Sequence, residues 1–245
     1  MIVENYLQNC GLLNYLENFK KSISVDQEVM YHENDLIYLH KKVRQRKPFT
    51  TLEFGVGFST IAIAHALMLN QLEFKKLAQI PKLRNTKLFK HFVVDSNEFW
   101  LNNTRSNFPS ELFDFVEFTF SEVSIGLISD FQICSFYQLL PNIVPEFIYL
   151  DGPDPADVKG NINGLSFNCK ERTIVSGDIL KYESTLLPGA YILVDGRTNN
   201  VRFLKNNFKR DFTFNWDQIN DRSEFELNED RLGPYNYNPT EIYMQ

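Results

Sequence analysis

The chain has 245 residues, 43 % hydrophobic and 23 % charged, enough for one large domain with a sizeable core and too apolar for global disorder. Its 25 basic and 31 acidic residues leave a formal charge of −6, which speaks against nucleic acid or an anionic membrane as the partner. Three scattered cysteines, no signal-like N-terminus and no apolar run of roughly 18 residues point to a soluble protein of a reducing, cytoplasmic compartment.

Apolar spacing predicts a helix over 2–21 with Gly11 as its weak point, and a second over about 34–46 that Pro48 ends. Residues 1–47 therefore read as a helical N-terminal extension, a lid or brace, ahead of a domain spanning 48–245. From there strand and helix alternate. Strands are expected over 49–53, 91–95, 115–120, 147–151 and 191–195, and helices over 59–77, 98–107 and 178–187. Residues 75–90, with Pro81 and scattered cations, read as an insertion in the first crossover. A short helix over 201–209 then leads to strands over 212–216 and 224–227, which would pair antiparallel at one edge. The central strands are continuous apolar runs, as in a parallel sheet covered on both faces. The fold class expected is α/β: a Rossmann-like, doubly wound, mostly parallel seven-stranded sheet.

The strongest local signal is Leu52-Glu53-Phe54-Gly55-Val56-Gly57-Phe58-Ser59-Thr60. A strand ends in a carboxylate, two glycines turn the chain, and a helix begins. Such glycines let backbone approach a ligand, and the helix start offers free N–H groups. A nicotinamide fingerprint would place a third glycine at Thr60 and an acid about 20 residues on. Here the next strand ends at Asp95, and 95 − 57 is 38.

With these residues in hand, the chain resembles class I S-adenosylmethionine-dependent methyltransferases. Leu187-Pro188-Gly189-Ala190, leading into 191–195, resembles their approach to the fifth strand. The resemblance implies that Glu53, Gly55, Gly57 and Ser59 run beside the methionine part of the cofactor. It implies that Asp95 holds the ribose hydroxyls, that Ser121 or Glu122 meets adenine, and that Asp151-Gly152-Pro153 lies near the transferred methyl. The cofactor implied is S-adenosylmethionine, and the reaction is methyl transfer to a small-molecule acceptor, a hydroxyl of a sugar or metabolite.

The residues themselves support that assignment. Glu53, Asp95, Asp151 and Asp195 each close an expected strand at the edge where open α/β sheets bind ligands. A ribose diol, an ammonium and a positive sulfur suit such acids better than an anionic dinucleotide does. Asp151 and Asp195 are also candidates for a shared divalent metal such as magnesium. Metal-dependent catechol-type relatives carry an Asn directly after the second acid, where this chain has Gly196 and then Arg197. Arg197 would alternatively neutralise Asp151 or bind an acidic substrate.

No histidine ends an expected strand, so Asp151 and Asp154 are the candidates for catalytic base, with Asp195 and Arg197 on the substrate side. His32 would fold over the cofactor mouth, His65 and His91 read as structural, and His40 as exposed or packed. The 154–176 loop would shape the acceptor pocket with Lys159, Lys170 and Arg172. The Phe-rich stretches and Tyr235-Asn236-Tyr237 read as packing. Two rival functions stay open: a nucleotide-cofactor oxidoreductase, and a non-catalytic binding module that retains the fold. A homo-oligomer is compatible with either.

Overall fold

The computed structural model describes residues 2–23, 31–80, 83–129, 131–233 and 239–244. It opens with α1 (Ile2–Cys10), α2 (Leu12–Ser22) and α3 (Glu33–Arg46). The single helix expected over 2–21 breaks at Gly11, whose φ of +84° puts it in the left-handed region that glycine adopts without strain. Leu7, Leu12, Leu16, Phe19, Leu36 and Ile37 pack on Phe58, Ile61 and Val93, so these helices share one apolar core with the first part of the sheet.

The alternating region follows as β1 (Thr50–Phe54), α4 (Phe58–Phe74), β2 (Lys90–Asp95), α5 (Glu98–Ser106), α6 (Ser110–Phe113) and β3 (Val116–Phe120). Next come β4 (Val123–Ile128), β5 (Gln132–Tyr137), β6 (Phe147–Leu150), β7 (Val158–Lys159) and α7 (Asp178–Tyr182). The chain continues through β8 (Tyr191–Asp195), α8 (Thr198–Asn207), β9 (Phe212–Asp217) and β10 (Arg222–Leu227) to the short α9 (Pro239–Ile242).

Seven strands form the main sheet in the order β3-β2-β1-β6-β8-β10-β9. The first five run parallel, and β10 runs antiparallel to both its neighbours, which gives the expected antiparallel edge. The central strands β1 and β6 are buried at every residue, which accounts for their unbroken apolar or uncharged character apart from Glu53. Strand order reverses between β1 and β6, so a crevice opens at their carboxyl ends.

One part of the architecture differs from the sequence expectation. The crossover from β3 to β6, for which the sequence reading gave no element, begins with the β4–β5 hairpin, and β7, from the 154–176 loop, pairs with β4 to make a second, three-stranded sheet. Ser129, at φ +50°, turns the hairpin. The helix expected over 178–187 also stops early, at Tyr182, and a 3-10 turn covers Glu183–Thr185. Among the described residues no helix is long and apolar enough to cross a membrane.

Two buried histidines join the N-terminal helices to α4. Tyr6 Oη lies 2.8 Å from His40 Nδ1, and His40 Nε2 lies 3.0 Å from His65 Nδ1. A single proton serves the nitrogen–nitrogen contact, so two imidazolium rings would set N–H against N–H. Burial, then mutual and Arg44 repulsion, lowers His40 to about 3; burial and Arg44 lower His65 to about 4. Both values lie below the unfolded value of about 6.5. Their contribution to stability is therefore complete above about pH 6.5 and is lost as pH falls toward 4. In an NMR pH titration both rings are expected to stay neutral at pH 5; a midpoint above 6 for either ring would sink this account.

Candidate functional site

The glycine turn begins one residue later than expected, because β1 runs on to Phe54. That shift places Glu53 inside the protein, where it is fully buried. Its carboxylate accepts the Ser59 hydroxyl, the Thr60 hydroxyl at 2.7 Å and His91 Nε2 at 2.8 Å. A carboxylate can only accept here, so the His91 proton is assigned to Nε2, and Thr51 Oγ1 donates to Nδ1 at 2.8 Å. Glu53 and Ser59, both expected beside the cofactor, brace the turn and the start of α4. His91 has the structural role expected of it.

Gly55 forms the open side of the turn, and Gly57 is buried. Gly55 has φ +103° and lies against the backbone of Gly152, so the ends of β1 and β6 meet without side chains between them. Gly57 N–H donates to Thr60 Oγ1 at 3.0 Å. Trp100, which no sequence signal singled out, donates from Nε1 to the Val56 carbonyl at 2.7 Å and closes the far side of the turn.

A cavity of about 290 Å³ lies at this switch point, with Gly55, Asp95, Trp100, Asp151, Asp154 and Arg197 among its walls. Asp95 closes β2, is nearly buried, and accepts the Asn97 N–H at 2.6 Å. Burial pushes its carboxyl up to about 6; the N–H groups of Asn97 and Val56 oppose that shift and nearby Asp157 adds to it. Asp157 also lines the cavity and accepts the Ser96 hydroxyl at 2.8 Å. It ends a single 3-10 turn, too short for sequence spacing to show which way its side chain faces.

Asp151 and Arg197 also form part of the wall of a second cavity of about 500 Å³, which Thr173, Ile174 and Asn199 complete. Surrounding protein raises the Asp151 carboxyl above the usual range, and Arg197 pulls it down. The Arg197 guanidinium donates to two backbone carbonyls, those of Asp151 and of Pro153 at 3.1 Å. It thus clamps the chain after β6, a use that neither substrate binding nor a simple ion pair had suggested. Asp154 accepts the Ala156 N–H at 2.8 Å and caps the 3-10 turn at Pro155–Asp157, so it holds the loop as well as lining the cavity.

Three expected residues stand elsewhere. Glu122 pairs with Lys159 across β4 and β7, and buried Ser121 accepts the Leu139 N–H at 2.8 Å. Neither lines the cavity, because the chain enters β4 directly after β3 and commits both to the second sheet. Asp195 accepts the Tyr149 hydroxyl at 3.1 Å and is raised to about 6, chiefly by burial and then by Asp35. It lines neither cavity, and among the described residues no group of three or more His, Cys, Asp or Glu is placed to hold a metal ion. A magnesium ion shared by Asp151 and Asp195, as expected from the sequence, is thus not shown. His32 lines a separate recess with Glu33, Asp35 and Asp221. Of the loop cations, Lys159 serves Glu122 and Arg172 donates to the Ser166 carbonyl. Pro81 and Tyr235-Asn236-Tyr237 lie outside the described residues.

No family model matches the chain, and no curated protein matches it in sequence. Among solved structures it resembles an S-adenosylhomocysteine-bound methyltransferase from Podospora anserina, with a TM-score of 0.51 at 13 % identity over 93 % of this chain and 96 % of that one. Cofactor-bound Rv0187 from MTB gives a TM-score of 0.51 at 13 % identity, over 90 % of this chain and 91 % of that one. At these identities the likeness establishes the fold: an α/β, Rossmann-like methyltransferase fold.

Proposed function

We propose that the protein is an S-adenosylmethionine-dependent methyltransferase that acts on a small-molecule acceptor, with a hydroxyl of a sugar or metabolite as the nucleophile. One observation carries this reading. The side-chain-free meeting of Gly55 with Gly152 stands beside the Asp95 carboxylate, at the switch point of the sheet. A ligand can lie against backbone there while a carboxylate takes its hydroxyls. The donor set fits an adenosyl sulfonium. Asp95 suits the ribose diol, Gly55 and Gly152 leave room at the turn, and Asp151, Asp154 and Asp157 surround the rest with negative charge. Four carboxylates, those of Asp95, Asp151, Asp154 and Asp157, face the single guanidinium of Arg197 in this wall, so a pyrophosphate would meet net negative charge. This disfavours the oxidoreductase reading.

When bound, the cofactor supplies an electrophilic methyl group. The chain's contribution is alignment and proton removal. Asp151 stands in the wall common to both cavities, so an acceptor in the larger one presents its hydroxyl to that carboxylate. Asp151 accepts the proton, and its raised affinity for protons suits the task. Asp154 keeps the adjoining loop in place.

Calorimetric titration of the full chain tests this reading. S-adenosylhomocysteine is expected to bind with micromolar affinity and NADH to produce no saturable heat. Absent binding of S-adenosylhomocysteine would defeat the proposal and favour the non-catalytic module.

A further inference from the structure

The sheet carries another cavity at its opposite edge, built by the segments that lead into the strands. It encloses about 330 Å³, and its walls include Thr50, Arg84, Lys87, Asn142, Thr185 and Leu187. Thr50 starts β1, and four residue steps along that strand, about 13 Å, separate it from Phe54 at the candidate cofactor site. No residue lines both cavities. Arg84 and Lys87 belong to the stretch over 75–90 that lengthens the first crossover, so part of that insertion serves as a wall here.

The charge of this wall is opposite to that of the chain. Among the described residues no carboxylate lines it, although the protein carries −6 overall. Arg84 is exposed and has no ion-pair partner among the described residues. Lys87 Nζ lies 3.4 Å from Glu117 in an exposed pair of the kind that contributes little. The nearby buried acid, Glu146, is already satisfied by the N–H groups of Phe49 and Thr50 and by Asn85 Nδ2 at 3.1 Å. Burial raises that carboxyl to about 7, so it opposes an incoming anion only weakly. A guanidinium fork and an ammonium at one mouth match a doubly charged tetrahedral group. Asn142 and Thr185 offer neutral hydrogen-bonding groups in the same wall, with the apolar Leu187.

We propose that this cavity is a second binding site, which takes a small phosphorylated metabolite with its phosphate on Arg84 and Lys87 and its hydroxyls toward Asn142 and Thr185. The site is independent of the methyltransferase reading.

The test is calorimetry on the full chain with three probes: glucose 6-phosphate, inorganic phosphate and glucose. Glucose 6-phosphate is expected to bind saturably, inorganic phosphate more weakly, and glucose not at all. Arg84→Ala and Lys87→Ala, both at exposed positions, are each expected to lower the glucose 6-phosphate affinity by about tenfold. Both variants should keep the wild-type melting temperature and S-adenosylhomocysteine titration. No saturable binding of either phosphate at millimolar concentration would overturn the proposal, as would unchanged affinity in Arg84→Ala. Equal affinity for inorganic phosphate and glucose 6-phosphate would overturn the assignment to a metabolite. Loss of S-adenosylhomocysteine binding in the wild type would defeat only the proposed function.

Discussion

Asp95→Asn is expected to melt at a higher temperature than the wild type while binding S-adenosylhomocysteine at least about tenfold more weakly. The two effects share one cause. Asp95 is 8 % exposed, and burial raises its carboxyl from 3.8 to about 6. A carboxyl whose folded value lies above its unfolded value costs stability when ionised. The cost is complete above about pH 6 and is relieved as pH falls toward 3.8. A shift of about two units corresponds to about 3 kcal/mol at neutral pH, and asparagine removes the charge while its carbonyl can still accept the Asn97 N–H. The new amide needs partners of its own, so a net gain of about 1–2 kcal/mol is expected, and each kcal/mol moves the melting temperature by about 2–4 °C in a chain of this size. The same charge is what a ribose diol uses. Loss of a charge-assisted hydrogen bond costs about 1.5–3 kcal/mol, or about ten- to a hundredfold in affinity. The wild-type affinity should also fall as pH drops below about 6, and the variant's should stay flat. Thermal melts and titrations at pH 5 and 7 read both effects; a variant that binds as well as the wild type would remove Asp95 from the ligand site.

The contrast between Asp95 and Glu53 shows how far the sequence could be read. Both are acids at the end of an apolar run, and the two look alike in one dimension. Glu53 pairs with Val93, so it faces the same side of the sheet as Asp95. Strand β1 runs one residue past Glu53 and leaves it a step inside, against His91 and the start of α4, whereas Asp95 is the last residue of β2. The sheet itself was legible because its central strands are buried on both faces and cannot carry a polar alternation. Gly11 was legible as a break because its conformation is local. The β4–β5 hairpin was not. Its turn uses Ser129 at positive φ, without the Asn-Gly or Asp-Gly pair that marks such turns, and its strands are only partly buried. Missing the hairpin led directly to the misplacement of Glu122. Trp100, Asp157 and the Arg197 clamp depend on which loops meet in space, and spacing along the chain does not encode that.

Gly152→Ala is expected to unfold the protein more readily and to abolish S-adenosylhomocysteine binding with it. A Cβ at Gly152 would stand 2.7 Å from Gly55 N, and 3.0 Å from both Gly55 Cα and the Phe54 carbonyl carbon. All three are backbone atoms, so no side chain can rotate away. They are also fixed: Gly55 N–H donates to the Val94 carbonyl at 2.9 Å, and Asp151 N–H donates to the Phe54 carbonyl at 3.0 Å. To admit the methyl group, β1 and β6 must part at the ends that form the site. Overpacking of this kind costs about 1–3 kcal/mol, a drop of several degrees in melting temperature. Gly57→Ala separates folding from ligand approach. Gly57 has φ 164°, extended backbone that any residue adopts, and its Cβ would meet only Trp100 Nε1, at 4.0 Å. That variant should melt like the wild type. If the ligand runs along the turn, the added methyl group occupies its path and affinity falls. Were Gly57→Ala to bind S-adenosylhomocysteine normally while Gly152→Ala lost stability, the glycine pair at 55 and 152 would stand as a strand junction, and the ligand would have to be placed nearer Asp95 and the loop after β6.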